Sequence, residues 1–290
     1  VLCWGYNNLG TLGGSVGTTE NDNGADPDLV EPLNLPAVMK DLWAGQSSAC
    51  AQASDNKVYC WGRTFLGDGT PIPSNNGYTP RAVAALAGVK SMSIGDLNSC
   101  AVSSANNLLC WGLTSNGLIG NGSESGNPIN YPVEIPLLNG KTKQVSVAQH
   151  YACAVSTDGG LYCWGRKDKP LGMSPAPSSN LRTPTLVPGM ETGVASVAVG
   201  NWHACATMET GKIKCWGTND KGNLGTGSGG SSLVPVDVAG ISQGATAVTV
   251  TRFLYQSNYF TPQSCAVVSG KLKCWGTGVT GTMTSTNRRP

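Results

Sequence analysis

Short apolar segments with period-two alternation recur along the chain, and none shows the 3.6-residue period of an amphipathic helix. Five begin the same local pattern: residues 40–45 (KDLWAG), 90–95 (KSMSIG), 143–149 (KQVSVAQ), 195–200 (ASVAVG) and 246–250 (TAVTV). Each is followed by Cys-Ala-x-x, a polar turn, and x-x-Cys-Trp-Gly, as in CAVSTDGGLYCWG. After the Trp-Gly come turn residues and then a Pro-led strand: residues 79–83, 131–135, 183–187 and 234–238. Within each Cys–Cys segment one face carries apolar pairs (Val102 with Leu108, Val155 with Leu161, Val267 with Leu272), and the Trp lies on the other. A strand pair that is apolar on both faces must be sandwiched between neighbours.

The segments belong to a repeat. Cys-Trp-Gly occurs six times, with its Trp at Trp4, Trp61, Trp111, Trp164, Trp216 and Trp275, at spacings of 57, 50, 53, 52 and 59 residues. Four short antiparallel strands per period, each set unable to bury its faces alone, predict the blades of an all-β propeller. Six repeats are visible, for a ring of six or seven blades. The period exceeds that of a WD40 blade, and the Gly-Gly doublet of a kelch blade is not systematic.

Cysteine spacing sets the register. Cys50/Cys60, Cys100/Cys110, Cys153/Cys163 and Cys205/Cys215 are ten apart, and Cys265/Cys274 nine apart. Facing residues of an antiparallel hairpin have a constant number sum, so placing Cys opposite Cys leaves three-residue loops ending in Asn56, Asn106, Gly159 and Gly211. A type I turn with a G1 bulge needs a left-handed residue at that third position, and Asn or Gly supplies it. In the fifth hairpin the loop shortens to Ser269-Gly270. Facing Cβ atoms in such a register lie near disulfide distance, so five intra-hairpin disulfides are expected, each worth roughly 2–3 kcal/mol on the chain-entropy model. A zinc site would need two close Cys/His pairs converging on one ion, whereas here the pairs fall one per repeat and the chain has two His.

Five disulfides imply an oxidising compartment, and the expected location is extracellular, secreted or cell-surface. Cys3 has no partner in register and is expected to be unpaired or intermolecular. The 290 residues are read as one propeller domain within a longer chain. Charged residues are only 12% and the net charge is +2, with no basic run beyond Arg288-Arg289, so nucleic acid is not an expected partner. No apolar stretch approaches the ~18 residues that cross a bilayer, and membrane insertion is not expected.

The repeat resembles that of the RCC1 (regulator of chromosome condensation) propellers over essentially the whole chain. The family pattern of a Gly, His-x-Cys-Ala, Gly-x-Leu, Trp-Gly and Asn-x-x-Gly-x-Leu-Gly-x-Gly shows best at residues 200–227. It recurs at 115–122 and, degraded, at 6–14 and 65–69. The Cys-x9-Cys-Trp-Gly form is similar to secreted, disulfide-bearing members. The resemblance implies a platform that binds other molecules. The nucleotide-exchange role of the nuclear member does not carry over, because its projecting wedge has no match here. A secreted relative that clamps a β-lactamase with one propeller face is the more suitable precedent.

Residues that precede each first Cys converge at one end of the blades: Gln46-Ser47-Ser48, Asp96-Leu97-Asn98, His150-Tyr151 and Asn201-Trp202-His203. The last repeat carries an insertion there, with Arg252, Phe253, Tyr255, Tyr259 and Phe260. Aromatics with Arg and Asn are interface chemistry. His150, Tyr151, Asn201, Trp202, His203, Arg252, Phe253, Tyr255, Tyr259 and Phe260 are therefore the candidate partner-binding face. The alternative for Tyr151 and His203 is hydrogen bonding to a neighbouring blade.

The acidic loop 20–28 departs from EF-hand spacing and reads as a solvated connection. Asn121-Gly122-Ser123 is a glycosylation sequon in a surface turn. Gly140-Lys141-Thr142 lacks the upstream glycine of a P-loop, and no Gly-x-Ser-x-Gly occurs. No catalytic set, metal or cofactor is expected. The expectation is a non-enzymatic extracellular interaction domain, structural or adhesive, in a larger surface protein. The alternative is a soluble inhibitor or recognition protein that grips one partner by its aromatic face. Protein partners or self-assembly are expected, with carbohydrate as a further candidate.

Overall fold

The computed structural model describes residues 3–5, 26–30, 35–36, 38–72, 79–251 and 262–277. The chain divides into two compact units, one of Val1–Ser115 with Ser125–Gly140 and the other of Asn116–Glu124 with Lys141–Pro290.

In the first unit β1 (Cys3–Gly5) pairs with β2 (Asp26–Val30), and two antiparallel four-stranded sheets follow. One is β3 (Met39–Ala44), β4 (Ser48–Ala53), β5 (Lys57–Gly62) and β6 (Arg81–Ala87). The other is β7 (Val89–Ile94), β8 (Asn98–Ser103), β9 (Leu108–Gly112) and β10 (Ile129–Glu134). The second unit holds β11 (Thr142–Val147), β12 (Tyr151–Ser156), β13 (Leu161–Gly165) and β14 (Leu181–Leu186) as one sheet. Its next sheet is β15 (Val194–Val199), β16 (His203–Met208), β17 (Ile213–Gly217) and β18 (Ser232–Asp237). The last, β19 (Ala245–Val250), β20 (Gln263–Val268) and β21 (Lys271–Gly276), has three strands among the described residues, where four were expected. Asp26–Asp28, read as part of an acidic loop, lie in β2; residues 20–25 are outside the described residues.

The hairpin register is the expected one. Cys50, Cys100, Cys153, Cys205 and Cys265 face Cys60, Cys110, Cys163, Cys215 and Cys274, and each pair is a disulfide across Cα–Cα distances of 4.0–4.1 Å. Asn56, Asn106, Gly159 and Gly211 adopt φ of 69°, 64°, 83° and 77°, the left-handed residue the loop length required. In the fifth hairpin Ser269 and Gly270 both have positive φ, 50° and 75°, as a two-residue type I′ turn needs.

The outer strands differ from the sequence reading in one respect. Pro132, Pro184 and Pro235 sit inside β10, β14 and β18 and do not lead them. Proline lacks the ladder N–H, and these are edge strands whose free side needs none.

Each unit stacks its sheets in one direction. In the first, the Cys face of β3–β6 (Cys50, Val58, Cys60, Val83) packs on the Trp face of β7–β10 (Met92, Ile94, Ala101, Trp111). In the second, Cys153, Val155, Leu161 and Cys163 pack on Val197, Val199, Ala204 and Trp216, and Cys205, Ile213 and Cys215 on Val250, Ala266 and Trp275.

Four of the Trp side chains of Cys-Trp-Gly are fixed by the preceding repeat. Trp111, Trp164, Trp216 and Trp275 are all fully buried. Their Nε1–H groups donate to the carbonyls of Phe65 (2.8 Å), Leu118 (3.0 Å), Pro170 (2.8 Å) and Asn223 (3.0 Å). In each case a Leu-Gly or Ile-Gly pair follows the acceptor. At Gly120 (φ 85°) and Gly225 (φ 67°) a Cβ would stand 2.9 and 2.8 Å from the indole nitrogen. The Leu-Gly-x-Gly stretch of one repeat is thus the seat for the indole of the next.

The Cys face of the last sheet is open by comparison. Val267 and Leu272 are 36% and 72% exposed, where Val155 and Leu161 at the same positions are buried. Cys265 and Cys274 are half-buried, and the other eight disulfide cysteines are buried. Thiol exchange needs access to a sulfur. Under limiting dithiothreitol the Cys265–Cys274 bond should therefore open roughly tenfold or more before the other four. Alkylation and peptide mass spectrometry read this directly, and uniform reduction would contradict the packing.

Candidate partner-binding site

The end of each sheet that carries the turn before the first Cys strand also carries the loop after Cys-Trp-Gly. The glycine of that motif ties the two together. Gly165 and Gly217 have φ of 120° and 110°, and a Cβ there would meet the carbonyl oxygens of His150 at 2.6 Å and Trp202 at 2.4 Å. Across this contact Arg166 N–H donates to His150 C=O (2.9 Å), and Thr218 N–H donates to Trp202 C=O (2.8 Å). Backbone hydrogen bonds therefore hold both predicted turns in place.

Tyr151 and His203 are not part of an exposed face. They are buried, and their polar atoms face the next sheet: Tyr151 Oη donates to His203 C=O (3.3 Å), and His203 Nε2 lies 2.9 Å from Ser264 Oγ. Ser264 Oγ donates to Asn223 C=O (2.9 Å), so the serine oxygen accepts the Nε2 proton of His203. Burial alone pushes the His203 pKa down to about 4. The position two residues before the first Cys is a core position, and this corrects the inclusion of both residues in a binding face.

Trp202 is 39% exposed. Asn201 is half-buried, and its Oδ1 accepts the Gln149 N–H (3.3 Å). The His150 ring is half-buried and makes no hydrogen bond among the described residues; burial holds its pKa below the usual value, with Lys169 and Arg166 adding to the effect. Arg252, Phe253, Tyr255, Tyr259 and Phe260 lie outside the described residues. The side chain of Cys3 is likewise not described. Asn121 is exposed, with its Oδ1 accepting the Ser123 N–H (3.0 Å).

Trp202 borders a cleft of about 170 Å³ between the loop after β13 and the β15–β18 sheet, with Lys169, Asp168, Thr218, Ser232 and Leu233 in its walls. Lys169 Nζ stands 4.3 Å from the Trp202 ring centroid, in cation–π range, and Leu233 is 54% exposed. Asp168 is committed to Arg166, accepting from Nε (2.5 Å) and Nη2 (2.6 Å), which holds its carboxyl below the usual range. Sequence reasoning missed Lys169 and Leu233. A signal was present: Arg166-Lys167-Asp168-Lys169 is a run of four charged residues in a chain that is 12% charged. Its relation to Trp202 follows only from the direction in which the sheets stack.

Stacked four-stranded antiparallel sheets of this kind define a propeller blade series. The RCC1 (regulator of chromosome condensation) repeat model matches residues 194–223, which run from β15 to the indole-seating loop. The human E3 ubiquitin-protein ligase HERC2 is 26% identical over 254 residues, covering 83% of this chain and 5% of that protein. The ultraviolet-B receptor UVR8 of Arabidopsis thaliana is 26% identical over 247 residues, covering 82% of this chain and 53% of the receptor. Among solved structures, human WBSCR16 superposes with a TM-score of 0.71 at 19% identity, over 84% of this chain and 63% of that one. Yeast RCC1 (Prp20), solved bound to Kap60, gives 0.63 at 22% identity, over 73% and 51%. The chain is an RCC1-like repeat propeller with a disulfide in each of five hairpins. It spans from a twentieth to about half of the two curated relatives above.

Proposed function

We propose that this chain is a non-enzymatic, extracellular protein-interaction domain that holds a partner at the end bearing Trp202. One observation carries the reading. Trp111, Trp164, Trp216 and Trp275 are buried on a carbonyl seat, whereas Trp202 is presented to solvent beside the exposed Leu233. A partly exposed indole with an adjacent aliphatic side chain is the composition of an interface hot spot. Protein binding is the use named for the yeast relative, solved with Kap60 and described for its binding to Gsp1p and histones. The five disulfides support an oxidising, extracellular setting.

The open apolar face of the last sheet favours a structural or adhesive domain working within a larger assembly over a free-standing inhibitor. The test is capture of partners from the native surroundings on immobilised, unreduced protein. Trp202→Ala and Leu233→Ser should each weaken retention by about 2 kcal/mol, roughly thirtyfold. Equal retention by wild type and both variants would sink this reading.

A further inference from the structure

The Lys169 ammonium lies in the wall of the cleft beside Trp202. It makes no ion pair and no hydrogen bond among the described residues; the Trp202 ring is its one close polarisable neighbour. Burial holds its pKa below the usual lysine range and Arg166 adds to this, against the favourable field of Asp168. The nearby carboxylate is shared: Arg166 holds both oxygens of Asp168, and Lys169 receives only its field. Lys167, next along, donates to Ser178 C=O (3.1 Å) and leaves its charge uncompensated. The half-buried, unbonded His150 ring lies within the field of Lys169 and Arg166.

Hydrogen bonds hold the backbone around this cleft. Lys169 N–H donates to Arg166 C=O (3.1 Å), Leu171 N–H to Lys169 C=O (2.7 Å), and the intervening Pro170 carbonyl seats the Trp216 indole (2.8 Å). Thr218 N–H fixes the Trp202 carbonyl on the other side. A ligand binding here would spend little on ordering this backbone.

We propose that the cleft between Lys169, Trp202 and Leu233 is the docking site for a short acidic segment of a protein partner. A Glu or Asp carboxylate of that segment pairs with Lys169, and an aliphatic neighbour lies on Trp202 and Leu233. The inference rests on the reading of this end as partner-binding. Charge complementarity selects the occupant, since Arg166, Lys167 and Lys169 outnumber the one carboxylate, Asp168, in this charged run at the cleft. Size agrees, because about 170 Å³ admits one or two side chains and no folded element.

The probe is a bead library of tetrapeptides varied at all four positions, screened with labelled, unreduced protein. Enriched beads should pair Asp or Glu with Leu, Ile, Val or Met. Lys169→Met, which keeps the stem and loses the charge, should erase the acidic preference. The best acidic sequence and its Asn or Gln counterpart, compared by fluorescence anisotropy, should differ tenfold or more and converge at high salt. Absence of enrichment, an acid-independent preference, or an unchanged preference in Lys169→Met overturns the proposal. Retention instead on beads carrying neutral oligosaccharide, lost in Trp202→Ala, would replace the peptide by a sugar. If partner capture depends on Trp202 but the library shows no acidic preference, only the present inference fails. If capture is indifferent to Trp202, the partner-binding reading fails as well.

Discussion

Gly120→Ala should destabilise the fold by about 2–5 kcal/mol, while Gly122→Ala, two residues away, should cost only about 1–2 kcal/mol. Both glycines have nearly the same left-handed backbone, φ of 85° and 87°, so both substitutions carry the same conformational penalty. They differ in what a Cβ meets. At Gly122 the nearest atom is a Thr183 methyl at 4.0 Å, an ordinary contact. At Gly120 the new carbon would stand 2.9 Å from Trp164 Nε1 and 3.2 Å from Cδ1. The fully buried indole would have to move, and with it goes the hydrogen bond to Leu118 C=O. A buried N–H left without an acceptor costs about 1–3 kcal/mol on its own. Urea denaturation of the two variants, kept oxidised at neutral pH, measures the difference. Equal losses would mean that the indole seat contributes nothing and that these glycines serve backbone conformation alone.

That comparison also marks where the sequence could be read and where it could not. Hairpin register was legible because it is local: ten residues between cysteines, with Asn or Gly at the third loop position, admits one antiparallel pairing. The disulfides and left-handed turns followed from it. The two-faced apolar pattern likewise required sandwiched sheets. The direction of stacking was not legible, since a period states that neighbours pack without stating which face meets which. Three features depend on that direction. The glycine after Ile119 or Leu224 is explained by a tryptophan more than forty residues later. Tyr151 and His203 are core residues because the next sheet covers them, although their position before a strand suggested a surface turn. Lys169 meets Trp202 because the loop of one sheet lies against the turn of the next. The prolines of the outer strands show the same limit on a smaller scale: proline marks a boundary in most contexts, but an edge strand tolerates it internally.

His203 should make the protein acid-sensitive within a defined window. Its ring is buried, donates through Nε2 to Ser264 Oγ, and shares the Asn223 carbonyl with the Trp275 indole by way of that hydroxyl. A second ring proton would find no acceptor among the described residues, and desolvation pushes the pKa down to about 4. In the unfolded chain the same group titrates near 6.5. The folded state therefore binds the proton less tightly than the unfolded state. Its stability is fully present above pH 6.5 and is lost as the pH falls from there towards 4, by about 3 kcal/mol in all. Carboxylates held low by their partners, such as Asp168 and Asp237, weaken the fold only at still lower pH, because their ordinary values are already near 4. His150 acts in the same window and in the same direction. Since the chain has two histidines, the background is removable: His150→Gln isolates His203, and the double variant His150→Gln/His203→Gln eliminates histidine titration altogether. Urea midpoints between pH 7.5 and 4 should fall steeply in the wild type and in His150→Gln, and stay nearly flat in the double variant. A steep fall that survives in the double variant would assign the acid sensitivity elsewhere and would separate the repeat histidine from any role beyond packing.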